Sequence, residues 1–257
     1  MSNIKLVLTD LDGTVAEFGK HEVSDAVRNA VIACEDLGVQ VVPVTGRPHN
    51  FALPVLEILG FDGLGIFDNG ATIQHCRTAE VLWQKWFAPE LARQVASIIA
   101  PHSLVMSYAP DHEEHMTSLD ELERIQLLEM PTPYVYGLLS KANVDDVLSE
   151  LSKVQGIHFY TAPSMRPEFP YDIGIQVNVD GASKYHAVEV LREMLDVDKR
   201  HALAIGDGTN DLPLFENAGQ RIAMGNATEE LKQQADHVVA SVQDDGFAEA
   251  MRHFVLS

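Results

Sequence analysis

The sequence contains few cysteines and no long hydrophobic segment. Only two of its 257 residues are cysteines. Cys34 lies on the apolar stripe of a predicted helix, which favours a buried thiol over a disulfide framework. No apolar run approaches the roughly 20 residues that a membrane-spanning helix requires, and the first residues carry no signal-peptide pattern. We therefore expect a cytoplasmic protein without disulfide bonds.

Positive charge is scarce as well. Lysine and arginine number 18 against 38 aspartates and glutamates, so the formal net charge is −20. Coulomb repulsion at this charge argues against a nucleic acid or an anionic membrane as a partner. It leaves a small phosphorylated substrate possible, because a bound metal ion and a few placed cations reverse the field inside a pocket. The oligomeric state is left open.

Short buried strands alternate with amphipathic helices at both ends of the chain. Residues 4–8 and 39–44 predict strands with a helix over 24–38 between them, and the same pattern returns from Ser183 onward. This alternation is typical of a doubly wound α/β fold. In its helices we place three large side chains, among others, on inward faces: Leu37, Phe51 and Met194.

The middle of the chain follows a different pattern. Helices there separate strands that are less uniformly apolar, which is typical of a small α+β domain on an antiparallel sheet. One of these helices is predicted over Ser118–Leu128. We therefore predict a Rossmann-like core over residues 1–83 and 180–257, interrupted by a smaller α+β domain over residues 84–179.

Two carboxylates directly follow the first predicted strand. Asp10 and Asp12 stand one residue apart at its carboxyl end, where ligands bind in open α/β sheets. An Asp-Gly turn explains many such pairs, but neighbouring carboxylates repel unless a metal ion or a shifted pKa relieves them. We interpret Asp10 as a nucleophile that attacks phosphorus, and Asp12 as the general acid and base.

Two further segments carry groups that suit phosphate. Thr45 and Gly46 end the second strand and offer a hydroxyl and an N–H donor, although a plain strand-to-helix turn also explains them. Lys184 lies in the first turn of a helix, which is the unfavourable end of the helix dipole for a cation. It is either an ordinary exposed lysine or a lysine that faces phosphate and offsets the charge of Asp10.

A third acidic segment follows another buried strand. Asp211 suits a helix N-cap, and the glycines beside Asp207 suit a turn. Together with Asp10 and Asp12, however, these residues bring four carboxylates to one edge of the sheet. A hard divalent cation would neutralise them, and oxygen ligands with water and a phosphate oxygen suit Mg²⁺.

Other candidate motifs are weaker. The histidines of segment 112–115 lack the spacing of a zinc-binding helix. Residues 63–65 are too short for a nucleotide-binding fingerprint. Residues 225–227 are interpreted first as a helix lead-in, with a position at the border of the site as the alternative, and Arg166 is interpreted as a solvated loop residue.

The motifs, in this order, resemble the signature of the haloacid dehalogenase-like (HAD) superfamily, and more narrowly its Cof-type branch. That branch carries an α+β cap of the C2 type between the second and third motifs. The resemblance implies a Mg²⁺-dependent phosphatase of small phosphorylated metabolites, often sugar phosphates, that forms an aspartyl phosphate. It rests on segments 10–14, 45–47, 68–71, 181–184, 206–211 and 223–227.

The resemblance also implies individual roles. Asp10 and Asp207 would bind Mg²⁺ through their side chains and Asp12 through its backbone carbonyl, with Asp211 supporting the metal site. Asp68 departs from the neutral or small residue of many relatives and receives no role. The phosphoryl group would be held by Thr45, Gly46, Lys184 and Asn210.

Two other functions compete with the phosphatase hypothesis. A phosphotransferase or phosphomutase would use the same aspartyl-phosphate chemistry but pass the phosphoryl group to a second hydroxyl instead of water. A non-catalytic binding protein on the same scaffold is the other alternative, and the intact set of Asp10, Asp12, Lys184 and Asp207 argues against it. The cap carries no motif that identifies the substrate.

Overall fold

Parallel strands rich in valine, leucine and alanine form the central sheet. The computed structural model describes residues 3–108, 115–117, 130–164 and 173–257. Its five parallel strands lie in the order β13-β12-β11-β1-β2. The first strand is completely buried between β11 and β2, which agrees with its apolar sequence. The five are β1 (Leu6–Thr9), β2 (Gln40–Pro43), β11 (Ala202–Gly206), β12 (Gln220–Ala223) and β13 (His237–Val238).

Helices with one apolar face accompany this sheet. Their N-termini use side-chain caps where the sequence offers them, because the first N–H groups of a helix lack backbone partners. Ser24 accepts from the Val27 N–H, and Ser183 accepts from the His186 N–H. The helices are α1 (Asp25–Asp36), α2 (His49–Leu59), α5 (Lys184–Met194), α6 (Leu212–Glu216), α7 (Glu229–Gln234) and α8 (Gly246–Phe254).

Three side chains expected on inward faces are exposed instead. Leu37, Phe51 and Met194 are 65%, 43% and 44% exposed. Leu37 follows the last residue of α1 and Met194 ends α5, where the helix leaves the sheet. Phe51 lies one position away from the buried stripe of α2, which begins at Ala52 and recurs with helical spacing.

A small antiparallel sheet extends the core beside β2. Its strands are β3 (Leu64–Phe67), β4 (Thr72–His75) and β5 (Val81–Gln84). An isolated parallel bridge between Val44 and Ile66 connects it to the end of β2. A single 3₁₀ turn at Asp68–Gly70 joins β3 to β4, and this turn becomes important at the site.

A second compact unit lies in the middle of the chain, over residues 84–182, while residues 1–83 and 183–257 form the first. Its sheet is antiparallel, in the order β7-β6-β8-β10-β9. In the described part of this unit, two helices pack on the sheet and form a separate apolar core with it. Its elements are α3 (Pro89–Ile99), β6 (Ser103–Tyr108), β7 (His115–Thr117), β8 (Val135–Leu139), α4 (Val144–Leu151), β9 (Ile157–Pro163) and β10 (Ile173–Val179).

A parallel α/β sheet interrupted by an antiparallel α+β unit confirms the predicted fold class. The helix predicted over Ser118–Leu128, Arg166 and most of segment 112–115 lie outside the described residues. Among the helices that the structure describes, none has both the length and the apolar character to cross a bilayer.

Candidate active site

The predicted site residues meet at the carboxyl edge of the parallel sheet. Asp10 follows β1, Thr45 lies two residues beyond β2, and Asp207 follows β11. These three strands are immediate neighbours, so their ends lie side by side although the residues are far apart in sequence. This is the edge at which open α/β sheets bind ligands.

A buried lysine links two of the carboxylates. The Lys184 Nζ donates to Asp10 Oδ1 and to Asp211 Oδ1, each over 2.8 Å. Lys184 is 1% exposed, Asp10 5% and Asp211 0%. The lysine is the first residue of α5, so the helix N-terminus brings a full positive charge against the edge of the sheet. The structure therefore excludes the exposed-lysine alternative.

Burial and the neighbouring opposite charges shift the pKa values of Lys184 and Asp10 in opposite directions. Burial disfavours the charged Lys184, but the two carboxylates outweigh it and raise the pKa of the lysine, which stays protonated. Burial raises the pKa of Asp10 well above its usual range; Lys184 counteracts this, while Asp211 and Asp12 add to it. One lysine thus does not compensate the negative charge gathered here.

Three carboxylates are close enough to share a metal ion. Oxygen atoms of Asp10, Asp207 and Asp211 all lie within 4.8 Å of one another. Burial, followed by the charge of Asp211, raises the pKa of Asp207 to about 7. An all-oxygen donor set whose carboxylates resist ionisation without a cation fits Mg²⁺ and does not suit a metal that prefers sulfur or imidazole ligands.

Asp211 acts within the protein as a rigid connector. While one of its oxygens accepts from Lys184, the other accepts from the Asp207 N–H at 3.0 Å and the Gly208 N–H at 3.1 Å. These bonds fix the turn that follows β11. Asp211 therefore has two effects at the site: it adds a negative charge to the carboxylate cluster, and it holds the backbone of Asp207 in place.

The Asp12 side chain is paired with Arg47, whereas Asp10 is paired with Lys184. Both its oxygens accept from Arg47, from Nε at 2.8 Å and from Nη2 at 2.5 Å. Arg47 also donates to the Lys20 carbonyl at 2.9 Å, and it is 7% exposed. Such a bidentate pair fixes orientation strongly. The Asp12 side chain is thus engaged by Arg47, whereas Asp10 and Asp211 are engaged by Lys184.

The remaining predicted residues border the cluster without touching its charged groups. Thr45 is 1% exposed, and its hydroxyl accepts from the Arg47 N–H at 3.1 Å. Gly46 and Asn210 are half-buried. Asn210 crowds Gly208 so closely that a side chain there would collide with it. In the described part of the chain, none of the three hydrogen bonds to Asp10 or Lys184, so they would meet those residues only through a ligand.

Two contributing residues received no role in the sequence interpretation. Arg47 belonged to a recognised motif, but its partner Asp12 lies 35 positions away. The Asn226 amide donates to the Gly13 carbonyl at 2.8 Å and to Asp207 at 3.2 Å, and thereby ties the first and fourth motifs together. The sequence predicted at most that residues 225–227 border the site, and the only signal for a role of Asn226 was the motif over residues 223–227.

The cysteines do not take part in this chemistry. Burial raises the pKa of Cys34 to about 11 and that of Cys76 to about 12, so neither forms the thiolate that a nucleophile requires. Both are free and buried, as was expected of Cys34. Residues 63–65 enter strand β3 and do not form a nucleotide-binding turn.

Comparison with known proteins agrees with this geometry. A family model for haloacid dehalogenase-like hydrolases matches residues 7–251. The phosphoglycolate phosphatase of Methanothermobacter thermautotrophicus is 24% identical, over 98% of this chain and 99% of the relative. A haloacid dehalogenase-like hydrolase from Bacteroides thetaiotaomicron is 27% identical with a TM-score of 0.80, over 97% and 98% of the two chains. A sugar phosphatase of HAD subclass IIB has a TM-score of 0.78 at 20% identity, over 98% and 100%, and so shares the fold.

Proposed function

This chain belongs to the haloacid dehalogenase-like hydrolase family, and we propose that it is a Mg²⁺-dependent phosphatase that hydrolyses small phosphate monoesters through a phosphorylated Asp10. Sugar phosphates are the substrate class that we put first. The observation that carries the proposal is the buried ion triad of Asp10, Lys184 and Asp211, with Asp207 beside it. A fold gains little from burying such a cluster, because desolvating charges is costly.

The first step transfers the phosphoryl group to the protein. A carboxylate oxygen of Asp10 attacks phosphorus, a new O–P bond forms, and the bond from phosphorus to the leaving-group oxygen breaks. That oxygen takes a proton from Asp12, so it departs as an alcohol. Lys184 supports this step by holding Asp10 Oδ1 at 2.8 Å and by balancing the charge that approaches.

The second step releases phosphate. A water molecule attacks the phosphorus of the acyl phosphate and gives its proton to Asp12, after which the O–P bond to Asp10 breaks and both carboxyl groups regain their first state. Asp12 thus needs to exchange one Arg47 contact for the leaving-group oxygen and later for water. Arg47 is the positioning residue that returns it.

Asp10 and Asp207 would hold Mg²⁺, with Asp211 beside them supporting the metal site, and the Asp12 backbone carbonyl would be a further ligand. When bound, the ion would neutralise the carboxylates and withdraw electron density from the phosphoryl oxygens. Thr45, Gly46, Lys184 and Asn210 would hold those oxygens by hydrogen bonds. The donor set, a hydroxyl, an N–H, an ammonium and an amide, matches a phosphate dianion.

The substrate class is supported by the relatives. One is named a phosphoglycolate phosphatase and a structural neighbour is named a sugar phosphatase, so both take a small phosphorylated molecule. The net charge of −20 disfavours phosphorylated nucleic acids as competing substrates. We therefore infer that the leaving group is a small alcohol, most often a sugar.

The experiment is a screen of phosphorylated metabolites with Mg²⁺ in which released phosphate is measured and no activating bisphosphate is added. We expect phosphate release by the wild type, none after exhaustive chelation, and none from Asp10→Asn, which lacks the nucleophilic oxygen. A wild type that isomerises a sugar phosphate without releasing phosphate would support the phosphomutase alternative. Full activity of Asp10→Asn would overturn the proposed chemistry.

A further inference from the structure

A buried amide lies directly against one of the phosphate-binding residues. Asn69 is only 6% exposed, and a Cβ built on Gly46 would stand 2.9 Å from its Oδ1 and 3.1 Å from its Nδ2. In the part of the chain that the structure describes, the Asn69 carboxamide makes no hydrogen bond. Its polar atoms are nevertheless not sealed off from solvent, so the carboxamide is available to a ligand group that reaches this edge of the sheet.

On one side, the backbone around Asn69 is held in place by the turn at residues 45–47. The Asn69 N–H donates to the Thr45 carbonyl and the Asp68 N–H donates to the Arg47 carbonyl, both at 3.1 Å. Asp68 and Asn69 are left-handed, with φ of 57° and 56°. Two consecutive non-glycine residues in this region are unusual, and such backbone persists where the surroundings impose it.

On its other side, the Asp68–Gly70 turn contacts the N-terminus of α5, which carries Lys184. Gly70 has φ of 97°, and a Cβ there would collide with the backbone of Ser183 and Lys184. The turn at Asp68–Gly70 therefore lies between the Thr45–Gly46 turn and the first residues of α5. These are the two elements that would hold the phosphoryl group, and Asn69 is the side chain that lies against the first of them.

We propose that Asn69 is a substrate-binding residue whose side-chain N–H donates to a phosphoryl oxygen beside the Gly46 N–H. This inference rests on the proposed function, since it requires a phosphoryl group at this edge of the sheet. The amide is neutral, so it adds a donor without adding to the charge of Lys184. In this proposal the 3₁₀ turn between β3 and β4 contributes to substrate binding through Asn69. The neighbouring Asp68 instead accepts a hydrogen bond from Thr72 through its Oδ2.

A purely conformational role for Asn69 makes different predictions. Asparagine, aspartate and glycine all tolerate the left-handed region, so Asn69→Gly and Asn69→Asp preserve the backbone preference. Glycine removes the amide, while aspartate keeps its shape and opposes a phosphate with negative charge. If Asn69 served the turn alone, both variants would bind phosphate like the wild type.

The test measures the affinity for inorganic phosphate by calorimetry in Mg²⁺, the phosphate inhibition constant, and KM. A hydrogen bond to a charged group corresponds to about 10- to 100-fold in affinity. We expect Asn69→Gly to weaken phosphate binding and raise KM by that factor, with a larger loss in Asn69→Asp. Ala79→Gly, which changes another left-handed residue (φ 57°) in a hairpin turn, is the matched control and should bind normally.

Two results would overturn the inference. One is unchanged phosphate affinity in both variants at an unchanged melting temperature. The other is a raised KM with an unchanged phosphate inhibition constant, which would place the amide on the leaving group. If Asn69→Gly fails to fold, Asn69→Asp carries the test. A wild type that binds phosphate but hydrolyses no monoester would count against the proposed function, while the Asn69 variants would still be judged by calorimetry.

Discussion

Asp10 and Asp12 are chemically identical side chains that the protein places in opposite environments. Asp10 is 5% exposed and paired with Lys184, whereas Asp12 is paired with Arg47. The first arrangement holds one oxygen and leaves the other for attack. The second engages both oxygens of a carboxylate that lies two residues further along the chain. These different environments support the proposed roles of Asp10 as the nucleophile and Asp12 as the proton donor.

At this scale we predict that Asp12→Asn depends on the leaving group. The amide cannot transfer the proton, a contribution of roughly 10²–10⁴-fold in rate, so kcat should fall by that order with an alkyl phosphate. An aryl phosphate needs little protonation and should suffer far less. The measurement is kcat for both substrates, with Asp10→Asn as the control that is inactive with each. Equal losses of Asp12→Asn on both substrates would contradict the assignment.

At the scale of elements, the Asp68–Gly70 turn matters because it lies against the N-terminus of α5. Helix α5 positions Lys184, and nothing larger than a hydrogen atom fits between Gly70 and the backbone of Ser183 and Lys184. Packing at this one glycine thus connects the β3–β4 turn with the buried lysine. The stability of the site depends on a contact between backbones, which no side-chain motif describes.

We predict that Gly70→Ala is both unstable and inactive. The left-handed φ costs roughly 1–2 kcal/mol, and the collision with Ser183 and Lys184 adds about 1–3 kcal/mol of overpacking. Gly38→Ala is the matched control, because Gly38 has φ of 77° but nothing within 4 Å of a new Cβ. Urea unfolding should show the larger loss at position 70, and only that variant should lose phosphatase activity. Equal losses at both positions would contradict this packing argument.

At the scale of the whole molecule, uncompensated charge at the site affects folding stability. Burial raises the pKa of Asp207 from 3.8 to about 7, so between these values the folded protein binds a proton that the unfolded chain releases. Stability therefore falls as the pH rises through this window. Mg²⁺ bound to the folded state would oppose the loss, by about 2.7 kcal/mol at a concentration 100 times its Kd.

We predict that, in chelator, Asp207→Asn gains stability relative to the wild type as the pH rises from about 4 to about 7. The variant lacks the titrating group and so avoids its share of the loss. The measurement is the difference in melting temperature between the two proteins across this range, repeated in excess Mg²⁺. Added Mg²⁺ should raise the melting temperature of the wild type more than that of the variant. A difference that is independent of pH would show that Asp207 ionises normally.

Local patterns predicted much of this molecule. Buried strands, helix caps at Ser24 and Ser183, and the parallel sheet all follow from short-range signals, and the fold class is confirmed. The predicted family is confirmed by the match over residues 7–251, and its named relatives are phosphatases. The predicted burial of Leu37, Phe51 and Met194 was wrong, because helical periodicity locates the edges of a buried stripe only to within about one position.

The residue types for phosphate chemistry are thus determined by the sequence itself, since each motif stands at the end of a strand or the start of a helix. Tertiary structure alone decides which partner each group receives. Asp12 meets Arg47 over 35 positions and Lys184 meets Asp10 over 174. The free amide of Asn69 against Gly46 belongs to the same class. The reason is physical: periodicity reports which face of an element is buried, whereas a hydrogen bond depends on where two elements meet.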